Sequence, residues 1–85
     1  MTDLGTLGGE LGQAYEINSR GQAVGASQAP EGSVRAVVWE DGSVIDLGTL
    51  GGDGSWAYGL NDRGQIVGDS QTSDGKSRAA LWSRG

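Results

Sequence analysis

The chemistry open to this chain is narrow, because its 85 residues include neither His nor Cys. Their absence removes the most frequent general base, the strongest side-chain nucleophile and the usual ligands of structural zinc. Asp3 and Asp46 lie in identical heptapeptides, and paired carboxylates are the catalytic set of a glycosidase. Because the two occupy the same place in a repeated segment, we interpret each as a hydrogen-bond acceptor that fixes its own loop. The sequence therefore predicts no enzyme, no catalytic residues, no metal site and no cofactor.

Five side chains are candidates for holding a ligand: Arg20, Arg63, Arg35, Arg78 and Trp56. Arginines arranged around a ring attract an anion or a sugar acid, whereas the alternative is that each pairs with a carboxylate of its own or a neighbouring repeat. Trp56 replaces Gln13 of the first repeat and is the better candidate for stacking on a sugar. Tyr15 and Tyr58 are expected to pack between repeats, because both copies keep them.

Charge and hydrophobicity exclude two classes of partner. The formal net charge of −5 disfavours nucleic acid, which needs a basic patch, and also disfavours an anionic membrane surface. No apolar run is long enough to span a bilayer, and no segment resembles a signal peptide. The glycine-rich loop at residues 5–9 lacks the helix and the Lys-Ser/Thr that a phosphate-binding loop requires.

An internal repeat is the strongest feature of the sequence. Residues 3–9 recur unchanged as residues 46–52, and residues 3–42 align with residues 46–85 without a gap. A period of 40 to 45 residues is the length of one blade of a β-propeller. We therefore divide the chain into a first repeat, residues 1–45, and a second repeat, residues 46–85.

Each repeat is predicted to form four short antiparallel strands. In the second repeat they cover residues 57–60, 65–70 and 78–82, and residues 43–47 are the fourth strand of the first. Glycine in residues 61–64 and in Asp41-Gly42 predicts turns between them. Gly25 and Gly68 lie inside strands, which predicts a close backbone approach between neighbouring blades. The predicted fold is all-β, with two four-stranded antiparallel propeller blades per chain.

The repeated pattern resembles the HAF repeat family. The shared motifs are Asp-Leu-Gly-Thr-Leu-Gly-Gly, Ala-Tyr-x-(Ile/Leu)-Asn-x-Arg-Gly-Gln-x-Val-Gly-x-Ser and Arg-Ala-x-x-Trp. That family is named for a His-Ala-Phe stretch before the Trp, where this sequence has Arg35-Ala36-Val37 and Arg78-Ala79-Ala80. The resemblance implies a propeller-like fold and an extracellular parent protein, and supplies no catalytic residues. A chain of two such repeats with minimal ends looks like a fragment excised or engineered from a longer array.

Two blades leave apolar faces uncovered, so the chain is predicted to assemble with copies of itself into a closed β-propeller ring. The expected homo-oligomer is a trimer or a tetramer, with the eight-bladed tetramer preferred. The second repeat lacks a fourth strand, and we expect residues 1–5 of a neighbouring chain to supply it. The residues predicted to form this junction are Thr2, Asp3, Leu4, Arg78, Leu81 and Trp82. The competing hypothesis is a propeller module that binds a carbohydrate or a small anion.

Overall fold

In the computed structural model, residues 5–9 and 11–83 are described, and they form seven β-strands and no helix. There is accordingly no helix in these ranges that could cross a membrane. The strands are β1 (Gly12–Ile17), β2 (Ala23–Gln28), β3 (Val34–Glu40), β4 (Ser43–Asp46), β5 (Gly51–Leu60), β6 (Gln65–Thr72) and β7 (Ser77–Ser83). The all-β prediction is confirmed.

The strands pair in the order of the chain within each repeat. In the first repeat β1, β2, β3 and β4 form an antiparallel meander. In the second repeat β5, β6 and β7 do the same. A parallel bridge between Val34 and Gly54 links β3 to β5, so that the seven strands belong to one open sheet.

This arrangement corrects the prediction of two four-stranded blades per chain. The first repeat has four strands, but the second has three among the described residues, and the isolated chain is open. The physical reason is the position of β4, which follows the turn after β3 and pairs with it, whereas no described strand pairs with the outer edge of β7. The predicted strand at residues 1–4, with Thr2, Asp3 and Leu4, lies outside the described residues.

The predicted turns are present and have the expected backbone geometry. Asp41 and Gly42 have φ values of 52° and 78°, the two positive angles of a type I′ hairpin turn. Asn61 uses its side-chain oxygen to accept hydrogen bonds from the backbone N–H of Arg63 and of Gln65, at 2.9 and 3.1 Å. Asn18 does the same in the first repeat. The two Asn side chains thus act as local braces for the turns.

Glycine inside the strands has a different cause from the predicted one. A Cβ on Gly25 would lie 1.8 Å from the carbonyl oxygen of Gln13, and one on Gly68 would lie 1.9 Å from that of Trp56. Both close approaches are to the adjacent strand of the same repeat, where the pairing register shifts at a β-bulge. The glycines therefore accommodate bulges within each repeat, not contact between neighbouring blades.

Candidate functional site

The repeat interface is the surface along which the two repeats pack within the chain. Side chains of the first repeat, Val24, Ala36 and Val38, form one buried cluster with Ala57 and Ile66 of the second. All five are fully buried. Ile45, Leu47, Leu60 and Trp82 complete the cluster from its edges. Apolar burial of this kind is the main source of attraction between the repeats.

Equivalent turns of the two repeats are hydrogen-bonded to one another across this interface. The amide Nδ2 of Asn18 donates to the carbonyl of Asn61 at 3.0 Å. The backbone N–H of Ser19 donates to Oδ1 of Asp62 at 3.0 Å, and Nη1 of Arg20 donates to the Asp62 carbonyl at 3.1 Å. The Ser19 backbone bond is the main cause that lowers the pKa of the Asp62 carboxyl, with smaller contributions from the Ser19 side chain and from the charge of Arg20.

Tyr15 and Tyr58, which occupy equivalent positions, also meet across the repeat interface. Their ring centroids are 5.5 Å apart and their planes are inclined by 46°. Both remain nearly half exposed, at 46% and 47%. Desolvation raises the pKa of the Tyr58 hydroxyl, and the charge of Asp69 and the neighbouring Tyr15 raise it further. The expected packing of the two tyrosines between the repeats is therefore present.

Ser55 fastens the repeat interface from within, a role that sequence reasoning missed. Its hydroxyl is fully buried, accepts a hydrogen bond from the N–H of Ala36 at 2.7 Å and donates to the carbonyl of Gly48 at 2.8 Å. The equivalent residue of the first repeat is Gly12, so no repeated motif marked this position. The one sequence signal was that serine stands at position 55 where the gap-free alignment of the repeats has glycine in the first repeat.

The four candidate arginines lie at two opposite ends of the strands. Arg20 and Arg63 are in the β1–β2 and β5–β6 turns, whereas Arg35 and Arg78 pair with serines at the far ends of β2 and β6. Arg35 forms a partly exposed ion pair with Asp46, with 3.5 Å between Nη1 and Oδ2. The structure therefore does not bring all four guanidinium groups to one place.

Asp46, the repeated aspartate that lies among the described residues, has the local role expected from sequence. Oδ1 of Asp46 accepts a hydrogen bond from the N–H of Gly48 at 2.7 Å, which fixes the loop after β4. Asp3 lies outside the described residues. Among the described residues, no group of three or more acidic side chains could hold a metal ion.

Trp56 lines a pocket between the repeats. The pocket has a volume of about 150 Å³, and Trp56 is half-buried at its edge. The other lining residues come from the first repeat and include Gln13, Ser27, Gln28, Leu11 and Val34. An aromatic surface faced by amide and hydroxyl groups is an arrangement that can bind a small polar ligand.

The outer surface of the second repeat, which we call the trailing face, is apolar and exposed. Val67 is 53% exposed and lies directly opposite Leu81, which is 61% exposed, and Ala79, two residues before Leu81 on β7, is exposed as well. Arg78 is also exposed, while Trp82 points the other way and packs against the repeat interface. Of the β7 residues predicted to take part in assembly, Leu81 is thus the one with a large apolar side chain in solvent.

The opposite surface of the chain, on the first repeat, is the leading face. It carries Ala14 and Ile17, both exposed, with Ile17 at 68%. Their equivalents in the second repeat, Ala57 and Leu60, belong to the buried cluster of the repeat interface. Ala14 and Ile17 are therefore exposed where their equivalents are buried or half-buried, whereas Ala23 and Trp39 of the same repeat are already covered within the single chain.

Comparison of the chain with protein-family models, with curated proteins and with solved structures returns no significant match. The geometry of the chain itself is therefore the basis for assigning a function.

Proposed function

We propose that this chain is a self-assembling repeat module that closes with copies of itself into a β-propeller ring of three or four chains. Its role in this proposal is structural and not catalytic. The observation that carries the proposal is the difference in burial between equivalent residues of the two repeats.

Three apolar positions of the first repeat, those of Val24, Ala36 and Val38, are buried, whereas the equivalent positions of the second repeat are exposed. Val24 and Val38 have no exposed surface, whereas their equivalents Val67 and Leu81 are more than half exposed. The residue types are apolar in both repeats, so the sequence of the trailing face is suited to a covered surface. Contiguous exposed apolar residues of this kind mark interaction sites in soluble proteins.

The leading face has the complementary property. Ile17 is exposed where Leu60 packs in the second repeat. The trailing face of one chain and the leading face of another therefore have the same kinds of residue that already pack together in the repeat interface. Covering a half-exposed Val or Leu contributes on the order of 1 kcal/mol each, so several together support a stable contact.

A contact between two different faces is heterologous, and it must either close into a ring or extend as a filament. Propellers of 4 to 8 blades close around a central axis. Two repeats per chain place a trimer and a tetramer within this range. The edge of β7 that faces away from β6 pairs with no strand among the described residues, and an unpaired edge favours addition of a strand from another chain.

Native mass in solution tests the proposal directly. We expect light scattering or native mass spectrometry to give three or four times the chain mass of 8.7 kDa, independent of protein concentration above the dissociation constant. A folded particle of 8.7 kDa at the same concentrations would contradict the proposal. A broad distribution of increasing masses would indicate filaments and would contradict closure.

A second candidate function is carbohydrate binding, and the observation that favours it is the pocket at Trp56. Its volume of about 150 Å³ is smaller than the ≈ 300 Å³ at which drug-sized sites begin, so it suits a small ligand. The indole ring offers an apolar surface to a sugar, and the side chains of Gln13 and Gln28 line the same pocket.

Replacing Trp56 tests this second function. We expect one member of a panel of neutral mono- and disaccharides to raise the melting temperature of the protein. The Trp56→Gln variant, which restores the residue of the first repeat, is expected to bind about tenfold more weakly, because aromatic contacts contribute roughly 0.5–1.5 kcal/mol. Trp39→Phe, at a buried position outside the pocket, is the control. Equal binding by the Trp56 variant would exclude the site.

A further inference from the structure

The contacts within the repeat interface join residues that are equivalent in the two repeats. Tyr15 contacts Tyr58, and the Asn18 side chain contacts the backbone of Asn61. Each pair is separated by 43 residues, the length of one repeat. In these contacts the first repeat uses one of its surfaces and the second repeat uses the opposite one, as in a rotation that carries each repeat onto the next. The surface that the first repeat uses is therefore still uncovered on the second repeat, and the surface that the second repeat uses is still uncovered on the first.

The hydrogen bonds between the turns show most clearly that the first repeat donates and the second repeat accepts. Asn18 donates its amide to the carbonyl of Asn61, and Arg20 donates its guanidinium to the carbonyl of Asp62. The equivalent donors in the second repeat are the amide of Asn61 and the guanidinium of Arg63. Among the described residues, the Arg63 guanidinium has no hydrogen-bond or ion-pair partner. The amide of Asn61 donates only to the side chain of Gln65, in the same turn.

We propose that a second copy of this chain docks on the trailing face by the same rotation that relates the two repeats. Tyr58 then contacts Tyr15 of the next chain. The Asn61 amide donates to the Asn18 carbonyl of that chain, and the Arg63 guanidinium donates to its Ser19 carbonyl. Val67 and Leu81 pack against the leading face of the same neighbour. This inference rests on the proposed self-assembly and specifies which atoms meet.

The rotation also predicts that the contact between chains is weaker than the contact within one. Ser55, which bonds to the backbone of Ala36 inside the chain, is replaced at the equivalent position by Gly12 of the neighbour. The carboxylate of Asp62, which accepts from Ser19, is replaced by the hydroxyl of the neighbour's Ser19. Two polar contacts are therefore lost or weakened at the junction between chains. We expect the chains to dissociate from one another under milder conditions than those that separate the two repeats within a chain.

Oxidative coupling of tyrosines tests the arrangement, because Tyr15 and Tyr58 are the two tyrosines of the sequence. The probe is photochemical coupling with a ruthenium(II) tris-bipyridyl complex and persulfate, applied to the Tyr15→Phe and Tyr58→Phe variants. In either variant alone, the proposed contacts pair each tyrosine with a phenylalanine. In a mixture refolded together, Tyr58 of one variant meets Tyr15 of the other.

The expected result is no covalent dimer from either variant alone and a shift from 8.7 kDa to twice that mass in the mixture. Peptide mass spectrometry should find position 15 joined to position 58. A dimer from one variant alone would indicate a twofold contact of like surfaces and would overturn the inference. So would the absence of the 15–58 product from a mixture whose native mass still shows an oligomer. A native mass of one chain would instead reject self-assembly itself, which separates the two failures.

Discussion

Changing Leu81 to aspartate is expected to dissociate the proposed ring into single chains. The substitution places a charge at the centre of the trailing face, where burial would have to desolvate it. Loss of the leucine contact and the cost of the charge together come to about 4 kcal/mol, which is about a thousandfold in the association constant. Sedimentation or light scattering over a range of concentrations measures this change, and circular dichroism shows whether the strands remain.

Ser73→Asp is the matched control for this substitution. It adds the same charge in the same repeat, in the exposed β6–β7 connection, and its first-repeat equivalent Pro30 is exposed as well. We expect the control to keep the native mass of the unsubstituted protein. If Leu81→Asp also keeps that mass, the trailing face is not the surface through which the chains associate.

Gly68→Ala is expected to have the largest effect on the folding of the chain itself. The new methyl group would lie 1.9 Å from the Trp56 carbonyl oxygen and 2.9 Å from the Ala57 Cα, and both are backbone atoms that cannot rotate away. Relief of this overlap requires β5 and β6 to separate at the bulge. We expect a loss of about 3 kcal/mol in the free energy of unfolding, which in a chain of this size lowers the melting temperature by on the order of 15 °C.

Gly75→Ala provides the comparison for this prediction. Gly75 has a φ of +84° and open space around it, so alanine there meets only the cost of a left-handed backbone, about 1–2 kcal/mol. Thermal unfolding monitored by circular dichroism gives both values. A Gly68→Ala protein that is as stable as the Gly75→Ala protein would show that β5 and β6 are not held as closely as the structure indicates.

Strands and turns were predictable because they carry local sequence signals. Asp41-Gly42 predicted the hairpin turn between β3 and β4, and residues 61–64, with Asn at the start and Gly at the end, predicted a turn of a different type in which the Gly has the positive φ. The predicted strands at residues 65–70 and 78–82 lie inside β6 and β7. The first strand of the second repeat was predicted too short, because its opening residues, Gly51–Gly54, have low strand propensity and pair through tertiary context.

Features that depend on three-dimensional packing were not predictable in the same way. Gly25 and Gly68 were correctly identified as sites of close approach. Whether the approach comes from a bulge within one repeat or from a contact between repeats could not be distinguished, because both require glycine in the interior of a strand. Ser55 was missed because its importance comes from the Ala36 N–H that it meets across the interface. The arginines separate into two groups because antiparallel strands carry them to opposite ends of the sheet. The repeat in the sequence shows which arginines are equivalent, but it does not give the distances between them.

Ser55 has a consequence for the symmetry of any closed particle built from this chain. Since glycine occupies the equivalent position of the first repeat, the two repeats are similar but not interchangeable. The order of the rotation axis then equals the number of chains, not the number of blades. In the proposed ring the Ala36 N–H keeps Ser55 of its own chain as partner, whereas the equivalent Ala79 N–H faces Gly12 of the neighbour and meets no hydroxyl there. A single hydroxyl thus distinguishes the interfaces within chains from the interfaces between chains.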